Sequence, residues 1–224
     1  MLKDIVKRVP GARKVAQAVG LVPKDAKDRR IFLLEMLPKG SVGAEIGVER
    51  GHFSQRILNI VKPKELHLID PWKYEASGTY RSAGYGGHAK RGQEEMDERF
   101  LNVCARFARE VRHKRVKIHR DYSTNVLRQF PDEYFDWIYI DGNHLYEYVK
   151  RDLELSFLKI KVAGFMAGDD YMDKGWWEDG VTKAVDEFAR THRSVVGHFE
   201  FRNHQFIFRK ILRVPGGRFA TRSK

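Results

Sequence analysis

A chain of 224 residues with 42% hydrophobic content is long enough to form one domain with a full core. A single cysteine, Cys104, excludes a disulfide framework and a cysteine-rich zinc site, so we expect a reducing, cytoplasmic location. No apolar run approaches the roughly 20 residues of a membrane span, and the N-terminus is too charged to be a signal peptide.

The formal net charge of +12 is concentrated at the two ends of the chain. Residues 1–30 contain nine Lys or Arg against three Asp, and residues 209–224 contain six basic residues and no acid. Basic ends of this kind can bind anionic lipid, nucleic acid or a phosphorylated substrate. They are equally typical of solvated tails. The distribution predicts a basic leader over residues 1–38, a folded domain over 39–210 and a basic tail over 211–224.

The leader is predicted to form short helices. Pro10 and Gly11 divide residues 2–19 into two short segments with helical spacing of apolar residues. Residues 28–37 predict a further helix, capped by Asp25 or Asp28 and stopped at Pro38. We expect this helix to pack beside a sheet and to lead into its first strand.

Residues 41–54, SVGAEIGVERGHFS, predict a buried strand from Val42 to Ile46, a glycine turn and a helix. Glycine suits a turn that takes positive φ or approaches a ligand closely, and the following helix N-terminus offers free N–H groups. The segment lacks the dinucleotide fingerprint, because Glu49 stands where the middle glycine is needed, and it is not a P-loop. A strand, turn and helix that bind nothing are the alternative.

Further strands and helices then alternate along the chain. The predicted strands are Glu65–Asp70, Val116–His119, Phe135–Ile140 and Gly164–Ala167, the helices are 93–113, 123–130, 145–159 and 181–191, and residues 194–201 and 205–209 form a hairpin. This order predicts an α/β fold, namely a single Rossmann-like, doubly wound, mostly parallel seven-stranded sheet with a C-terminal antiparallel hairpin. Residues 73–92 predict a long loop of the kind that forms lids or binding sites.

Acidic residues lie at or just beyond the carboxyl end of every predicted parallel strand. They are Glu45, Asp70, Asp121, Asp141, Asp169 and Asp170. In an open α/β sheet this edge is where ligands bind. A single acid there is often only a helix cap, but one after each of five strands favours a shared site. Such carboxylates suit ribose hydroxyls, an amine, a cationic ligand or a divalent metal.

Four segments carry a specific resemblance over roughly residues 40–210. They are Glu45-Ile46-Gly47-Val48 with Gly51 and Phe53-Ser54, Leu68-Ile69-Asp70-Pro71-Trp72, Ile140-Asp141-Gly142-Asn143-His144 with Tyr146 and Asp152-Leu153, and Gly164-Phe165 through Gly168-Asp169-Asp170. In their order and spacing the chain resembles class I S-adenosylmethionine-dependent methyltransferases. It is most similar to the small-molecule O-methyltransferase branch that includes macrocin-type and cephalosporin-type enzymes.

The resemblance implies a donor site at the first two strands. Gly47 and Gly51 would let the backbone approach the amino-acid end of S-adenosylmethionine, and Glu45 would fix the turn or the donor's ammonium. The carboxylate of Asp70 would accept the two ribose hydroxyls. Asp121 and Tyr122 would lie by the adenine.

The resemblance also implies that Asp141, Asp169 and Asp170 hold Mg²⁺ beside the acceptor hydroxyl. Mg²⁺ prefers hard oxygen ligands, and three close carboxylates repel one another unless a cation or proton intervenes. A coordinated hydroxyl would have a lowered pKa and become a nucleophile. In the alternative interpretation these aspartates only cap turns or bind backbone amides.

The general base is a departure from the family pattern. Metal-dependent relatives can carry an aspartate two residues after the strand-four aspartate, and here that position is Asn143, which cannot accept a proton. His144 is the next candidate base, with an ordinary pKa of about 6.5. It is equally open as a ligand or a structural histidine.

Aromatic residues are expected to form the acceptor site. Tyr80, Tyr85 and His88 lie in the long loop, and Trp176 and Trp177 follow the fifth strand. They could stack on a sugar or aromatic ring, or simply pack the loop.

The leading hypothesis is an O-methyltransferase that acts on a hydroxyl of a sugar, glycolipid or natural product. One alternative, motivated by the charge, is a nucleic-acid methyltransferase, although Gly168-Asp169-Asp170-Tyr171 differs from the tetrapeptide of amino-methylating enzymes. The other is a non-catalytic protein that kept the fold and binds a membrane surface through its basic, partly apolar N-terminus. The sequence does not indicate the oligomeric state.

Overall fold

The computed structural model describes residues 30–85 and 89–213. The two helical segments predicted within residues 2–19, the start of the helix predicted over 28–37 and most of the basic tail lie outside the described residues. Within the described ranges, no helix is both long and apolar enough to cross a membrane.

Seven strands form one sheet in the order β3-β2-β1-β4-β5-β7-β6. The strands are β1 Val42–Ile46, β2 Glu65–Ile69, β3 Val116–His119, β4 Phe135–Ile140, β5 Ile160–Gly168, β6 Val196–Arg202 and β7 Gln205–Lys210. Strands β1 to β5 pair in parallel, whereas β7 is antiparallel to both β5 and β6. The predicted mostly parallel sheet with a C-terminal hairpin is therefore confirmed.

Helices and one 3₁₀ turn connect the strands. They are α1 Ile31–Met36, α2 His52–Ile60, the 3₁₀ turn Gly78–Tyr80, α3 Gln93–Arg106, α4 Ala108–Arg112, α5 Ser123–Leu127, α6 Tyr146–Lys159 and α7 Gly180–Thr191. The helix predicted over 93–113 is two helices, because Phe107 leaves helical geometry (φ −104°, ψ 15°) while its side chain is fully buried. The helix predicted over 123–130 ends at Leu127.

Strand β5 begins four residues earlier than predicted. Ile160 already pairs with Phe135, and the register shifts before Phe165 pairs with Trp137. Val162 and Ala163 in the shifted segment are exposed, and Ala163 has a φ of 68°. A bulge of this kind interrupts the apolar alternation by which a strand is recognised in a sequence.

The sheet separates two apolar cores. Residues of α1, α2 and α3 pack with Trp137 and Tyr139 on one face, and residues of α6 and α7 pack with Ile138 and Ile140 on the other. Successive side chains of a strand point to opposite faces, so β4 contributes to both cores and is almost completely buried. This is the doubly wound arrangement.

The parallel strands end in register. Ile46 pairs with Ile69 of β2 and with Ile140 of β4, and Ile140 pairs with Gly168 of β5. The residues that follow these ends therefore lie along one rim of the sheet, which is where an open α/β sheet binds its ligands.

Candidate active site

The turn after β1 admits only glycine at position 47. Gly47 has a φ of 86°, and a Cβ there would overlap the carbonyl oxygen of Asp141, which follows β4. Its N–H donates to the Ile69 carbonyl oxygen over 2.9 Å. The turn is thus fitted against both neighbouring strands, and the close approach predicted for this glycine is made, in this structure, to the protein's own backbone.

Gly51 is the second glycine of the turn and directly precedes α2. Its φ is 71°, and a Cβ would lie 2.8 Å from the ring of the buried Phe107. Positive φ at both glycines agrees with the prediction from the sequence.

Asp70 holds the glycine turn from the end of β2. Its Oδ2 accepts from the backbone N–H groups of Val48, over 2.9 Å, and Glu49, over 3.0 Å. Its Oδ1 accepts from the Trp72 N–H, over 2.7 Å, and from the hydroxyl of Tyr85. Burial raises the pKa of Asp70, and these hydrogen bonds act against that shift. The carboxylate and Tyr85 both line the cavity described below.

Glu45 lies behind the turn, inside the core. Its side chain is 1% exposed, and Oε2 accepts from the Ser54 hydroxyl of α2. Burial raises its pKa to about 8, so the carboxyl group is protonated at neutral pH. Its hydrogen bond with Ser54 joins α2 to β1.

Asp121 and Tyr122 follow β3 and have different surroundings. Asp121 Oδ1 accepts from the Tyr122 N–H over 2.7 Å and from Asn125 Nδ2 over 2.9 Å, so it organises the start of α5. Tyr122 lines the cavity, and its hydroxyl donates to Glu75 Oε1 over 3.2 Å.

Asp141, His144 and Asp170 form a cluster whose ligand atoms lie within 4.8 Å of one another. His144 Nε2 is 2.9 Å from Asp170 Oδ2 and 3.6 Å from Asp141 Oδ1. Burial acts to lower the pKa of His144, but the two close aspartates, Asp141 and Asp170, outweigh it and raise the pKa to about 9. The imidazole is therefore protonated at neutral pH.

Asp169 lies beside this cluster and has other partners. Its Oδ1 accepts from Gln205 Nε2 and, over 2.8 Å, from the Asp170 N–H. Its Oδ2 lies 3.6 Å from Arg30 Nη1, which is also 3.3 Å from Asp141 Oδ2. Burial and the neighbouring aspartates raise the pKa of Asp169 to about 7. The three atoms best placed for a cation thus come from Asp141, His144 and Asp170, where the sequence suggested the three aspartates.

This donor set fits a divalent cation. It offers two carboxylate oxygens and one imidazole nitrogen, and His144 Nε2 is a buried atom for which no well-aligned hydrogen bond is found among the described residues, although an Asp170 oxygen is close. A cation would take the place of the imidazole proton and relieve the repulsion between the carboxylates.

Asn143 has a structural role that the sequence did not reveal. Its Oδ1 accepts from the Leu145 N–H over 3.0 Å at the start of α6. Its Nδ2 donates to the Tyr80 hydroxyl over 2.9 Å. The residue in the position of the relatives' aspartate base therefore joins α6 to the long loop.

An aromatic wall borders the acidic cluster. The ring centroids of Tyr80 and Trp176 are 5.2 Å apart, and those of His144 and Trp177 are 4.6 Å apart. All four residues line the cavity. Tyr85 lies against Asp70 at the end of β2, and His88 is outside the described residues.

One cavity of about 600 Å³ joins these features. It runs from Gly47, Asp70 and Tyr122 to Asp141, His144 and the aromatic wall. This volume lies within the range of small-molecule and cofactor sites. Tyr85, which the sequence predicted to line a binding site, lines this cavity. Arg30 also lines it, and sequence reasoning missed Arg30 because it looks like any other basic residue of the leader.

The chain resembles known proteins in sequence and in fold. A family model described as a methyltransferase domain matches residues 44–171, which include the glycine turn, Asp70, Asp141 and both aspartates after β5. None of the curated protein sequences compared with this chain matches it.

Solved structures share the fold at low identity. A protein from Corynebacterium glutamicum has a TM-score of 0.56 and 17% identity, covering 96% of this chain and 97% of its own. The O-methyltransferase NovP has a TM-score of 0.57 and 16% identity, with 82% of this chain and 80% of its own covered. An rRNA methylase from Streptococcus thermophilus has a TM-score of 0.52 and 12% identity, with 81% and 93% covered.

The matched segment is more than half of the 224 residues, and it contains the cavity residues Gly47, Asp70, Asp141 and His144. The chain therefore belongs to the methyltransferase-domain family, and it is a class I, S-adenosylmethionine-dependent methyltransferase.

Proposed function

We propose that this enzyme is an O-methyltransferase whose acceptor is a hydroxyl group of a sugar, glycolipid or natural-product small molecule, and that a divalent cation assists the reaction. One observation carries the proposal: the glycine turn with Asp70 lines the same cavity as Asp141 and His144, two of the three residues of the acidic cluster. A hydroxyl beside the cluster would then share an enclosed space with the donor.

The donor end is formed by the turn and the residues around it. Gly47, Asp70 and Tyr122 would hold S-adenosylmethionine, whose sulfonium carries the methyl group that is transferred. Asp70 already orders the Val48 and Glu49 amides, so it supports the turn as well as offering a carboxylate to ribose. Holding donor and acceptor in one fixed geometry is itself a large part of such catalysis.

The acceptor end must remove a proton from the hydroxyl. His144 is the candidate base, and its pKa of about 9 means that the imidazole accepts a proton only after losing its own. Asp141 and Asp170 both lie against the Nε2 atom of the ring. A divalent cation held by Asp141, His144 and Asp170 would lower the pKa of a bound hydroxyl instead.

The aromatic wall favours a ring-shaped acceptor. Tyr80, Trp176 and Trp177 present apolar faces beside the polar cluster. Aromatic faces of this kind bind the apolar faces of sugars and planar rings, while a few polar groups fix the orientation.

A product assay tests the proposal. The full chain would be incubated with S-adenosylmethionine and a panel of sugars, glycolipids, phenolic natural products, RNA and DNA, with release of S-adenosylhomocysteine as the readout. We expect turnover with a small hydroxyl compound, its loss in EDTA and its recovery on addition of Mg²⁺. Turnover restricted to nucleic acid would contradict the acceptor assignment, and indifference to EDTA would contradict the metal assignment alone.

Nucleic acid is the second candidate acceptor, and the net charge of +12 favours it. A methyltransferase that binds RNA through its basic residues should lose affinity steeply as salt increases. RNA binding that falls by more than about tenfold between 50 and 200 mM salt, together with turnover on RNA, would favour this alternative.

A further inference from the structure

Arg30 brings a positive charge into the acidic end of the cavity. Its Nη1 lies 3.3 Å from Asp141 Oδ2 and 3.6 Å from Asp169 Oδ2. The guanidinium carbon lies 4.1 Å from the ring centre of Phe53 in α2. Arg30 lines the cavity, and three-quarters of its side chain is shielded from solvent.

The position of Arg30 is fixed by the helix that follows it. Arg30 immediately precedes α1, and its carbonyl oxygen accepts from the Leu33 N–H over 3.1 Å. Leu33 and Leu34 of α1 are buried in the core. The backbone of Arg30 is therefore anchored to the packed part of the domain.

One of the protein's own cations lies against these carboxylates. The Arg30 guanidinium lies between Asp141 and Asp169, at 3.3 Å and 3.6 Å from their Oδ2 atoms. Close carboxylates repel one another unless a cation or a proton intervenes. Here the Arg30 guanidinium supplies positive charge to both Asp141 and Asp169.

We propose that Arg30 is a tethered counter-ion of this cluster and that its guanidinium competes with a divalent cation for Asp141. The inference rests on the metal assignment of the proposed function. A cation at Asp141, His144 and Asp170 would share the Asp141 carboxylate with the guanidinium and be repelled by it, since two like charges a few ångströms apart interact strongly in a partly buried site. The affinity for the divalent cation then depends on whether the Arg30 guanidinium stays paired with the Asp141 carboxylate.

Metal titration tests the competition without reference to turnover. Mn²⁺ would be titrated calorimetrically into the full-length wild type and into Arg30→Met, Arg30→Lys and Arg50→Met. Methionine removes the charge but keeps a long chain over Phe53, and lysine keeps the charge. Arg50 also lines the cavity, but its ion-pair partners are Glu49, at 3.3 Å, and Glu95, at 4.0 Å, so its removal is the matched control.

We expect Arg30→Met to bind Mn²⁺ at least about tenfold more tightly than the wild type, because a unit charge beside one ligand has been removed. Arg30→Lys should stay within about twofold of the wild type because it keeps the positive charge, and Arg50→Met should do so because exposed, solvent-screened charges contribute little. Circular dichroism melts establish that each variant is folded, and Arg30→Gln replaces the methionine variant if that one is not.

Equal or weaker Mn²⁺ binding by Arg30→Met would overturn the competition. An equal gain in Arg50→Met would also overturn it, because the effect would then come from net charge. If no variant binds Mn²⁺, the competition and the metal assignment both fail. The O-methylation proposal is tested separately. Even if no variant binds Mn²⁺, turnover of a hydroxyl acceptor in the presence of EDTA, measured as release of S-adenosylhomocysteine, would support it.

Discussion

Glu45 is a carboxyl group placed inside the protein core. Burial raises its pKa from an ordinary value of 4.5 to about 8, while the hydrogen bond from Ser54 acts in the opposite direction. The unfolded chain therefore releases this proton at lower pH than the folded chain. The stability that Glu45 contributes is complete below about pH 4.5 and is lost as the pH rises to about 8.

Glu45→Gln should remove this pH dependence, because the amide has nearly the same shape and does not ionise. We expect the free energy of unfolding of the variant, relative to the wild type, to rise by a few kcal/mol, roughly 5 at most, between pH 4.5 and 8. Urea unfolding at five pH values across this range measures the difference. If the unfolding free energies of the variant and the wild type changed equally with pH, the pKa of Glu45 would not be raised in the folded state. Unchanged affinity for S-adenosylhomocysteine would further show that Glu45 supports the turn and does not bind the donor's ammonium.

Asn143 joins two parts of the proposed acceptor site, the Tyr80 loop and the start of α6, through one side chain. Asn143→Ala should cost about 1 kcal/mol of unfolding free energy, because the Leu145 N–H at the start of α6 loses its acceptor. It should also raise KM for the acceptor several-fold, since Tyr80 loses its partner. Donor affinity should not change.

Tyr80→Phe is the matched control, because it removes the same hydrogen bond from the loop side and leaves the Leu145 contact in place. It should raise KM for the acceptor without the loss in stability. If Asn143→Ala weakened donor binding while leaving KM for the acceptor unchanged, the wall would not belong to the acceptor site.

The glycine turn shows, at the scale of elements, why separate strand ends form one site. The turn after β1 touches the end of β4, because a Cβ on Gly47 would overlap the Asp141 carbonyl oxygen. Gly47→Ala should therefore lower the free energy of unfolding by about 2 kcal/mol or more, combining backbone strain with a steric clash. It should also abolish measurable donor binding, since the turn and the Asp141 segment cannot keep their present spacing.

Variants of two other glycines distinguish the cost of backbone strain from the cost of the steric clash. Gly40→Ala introduces a Cβ at a φ of 66° with no atom within 4 Å, so it should cost only about 1 kcal/mol. Gly78→Ala has open space and no positive φ, so it should be nearly neutral. Thermal melts and calorimetry with S-adenosylhomocysteine measure all three variants. A Gly47→Ala protein that binds the donor as the wild type does would contradict the close fit between these two elements.

For the molecule as a whole, the positions of the parallel strands along the chain were predictable, because central parallel strands are nearly continuous apolar runs. Phe135–Ile140 is the clearest case, and its predicted bounds agree with the structure. The register that brings Gly47, Asp70 and Asp141 to one rim follows from the parallel pairing. The break at Phe107 and the early start of β5 were not predictable, because each depends on tertiary contacts.

The site likewise has some features that the sequence predicts and others that depend on tertiary contacts. The acids after the strands could be located from the sequence, because their positions follow from strand ends. Their partners could not be, because Arg30 lies 111 residues from Asp141 and has no pattern that separates it from other basic residues of the leader. The pairing of His144 with Asp170 likewise depends on the loops beyond β4 and β5.

A co-crystal structure of the full chain with S-adenosylhomocysteine tests the central claim most directly, namely that the strand ends form one pocket for donor and acceptor. We predict density for the amino-acid end at Gly47, for the ribose at Asp70 in place of the Tyr85 hydroxyl, and for the sulfur facing Asp141 and His144. Density for the ligand on another face of the sheet, or with its sulfur directed away from the acidic cluster, would contradict the account.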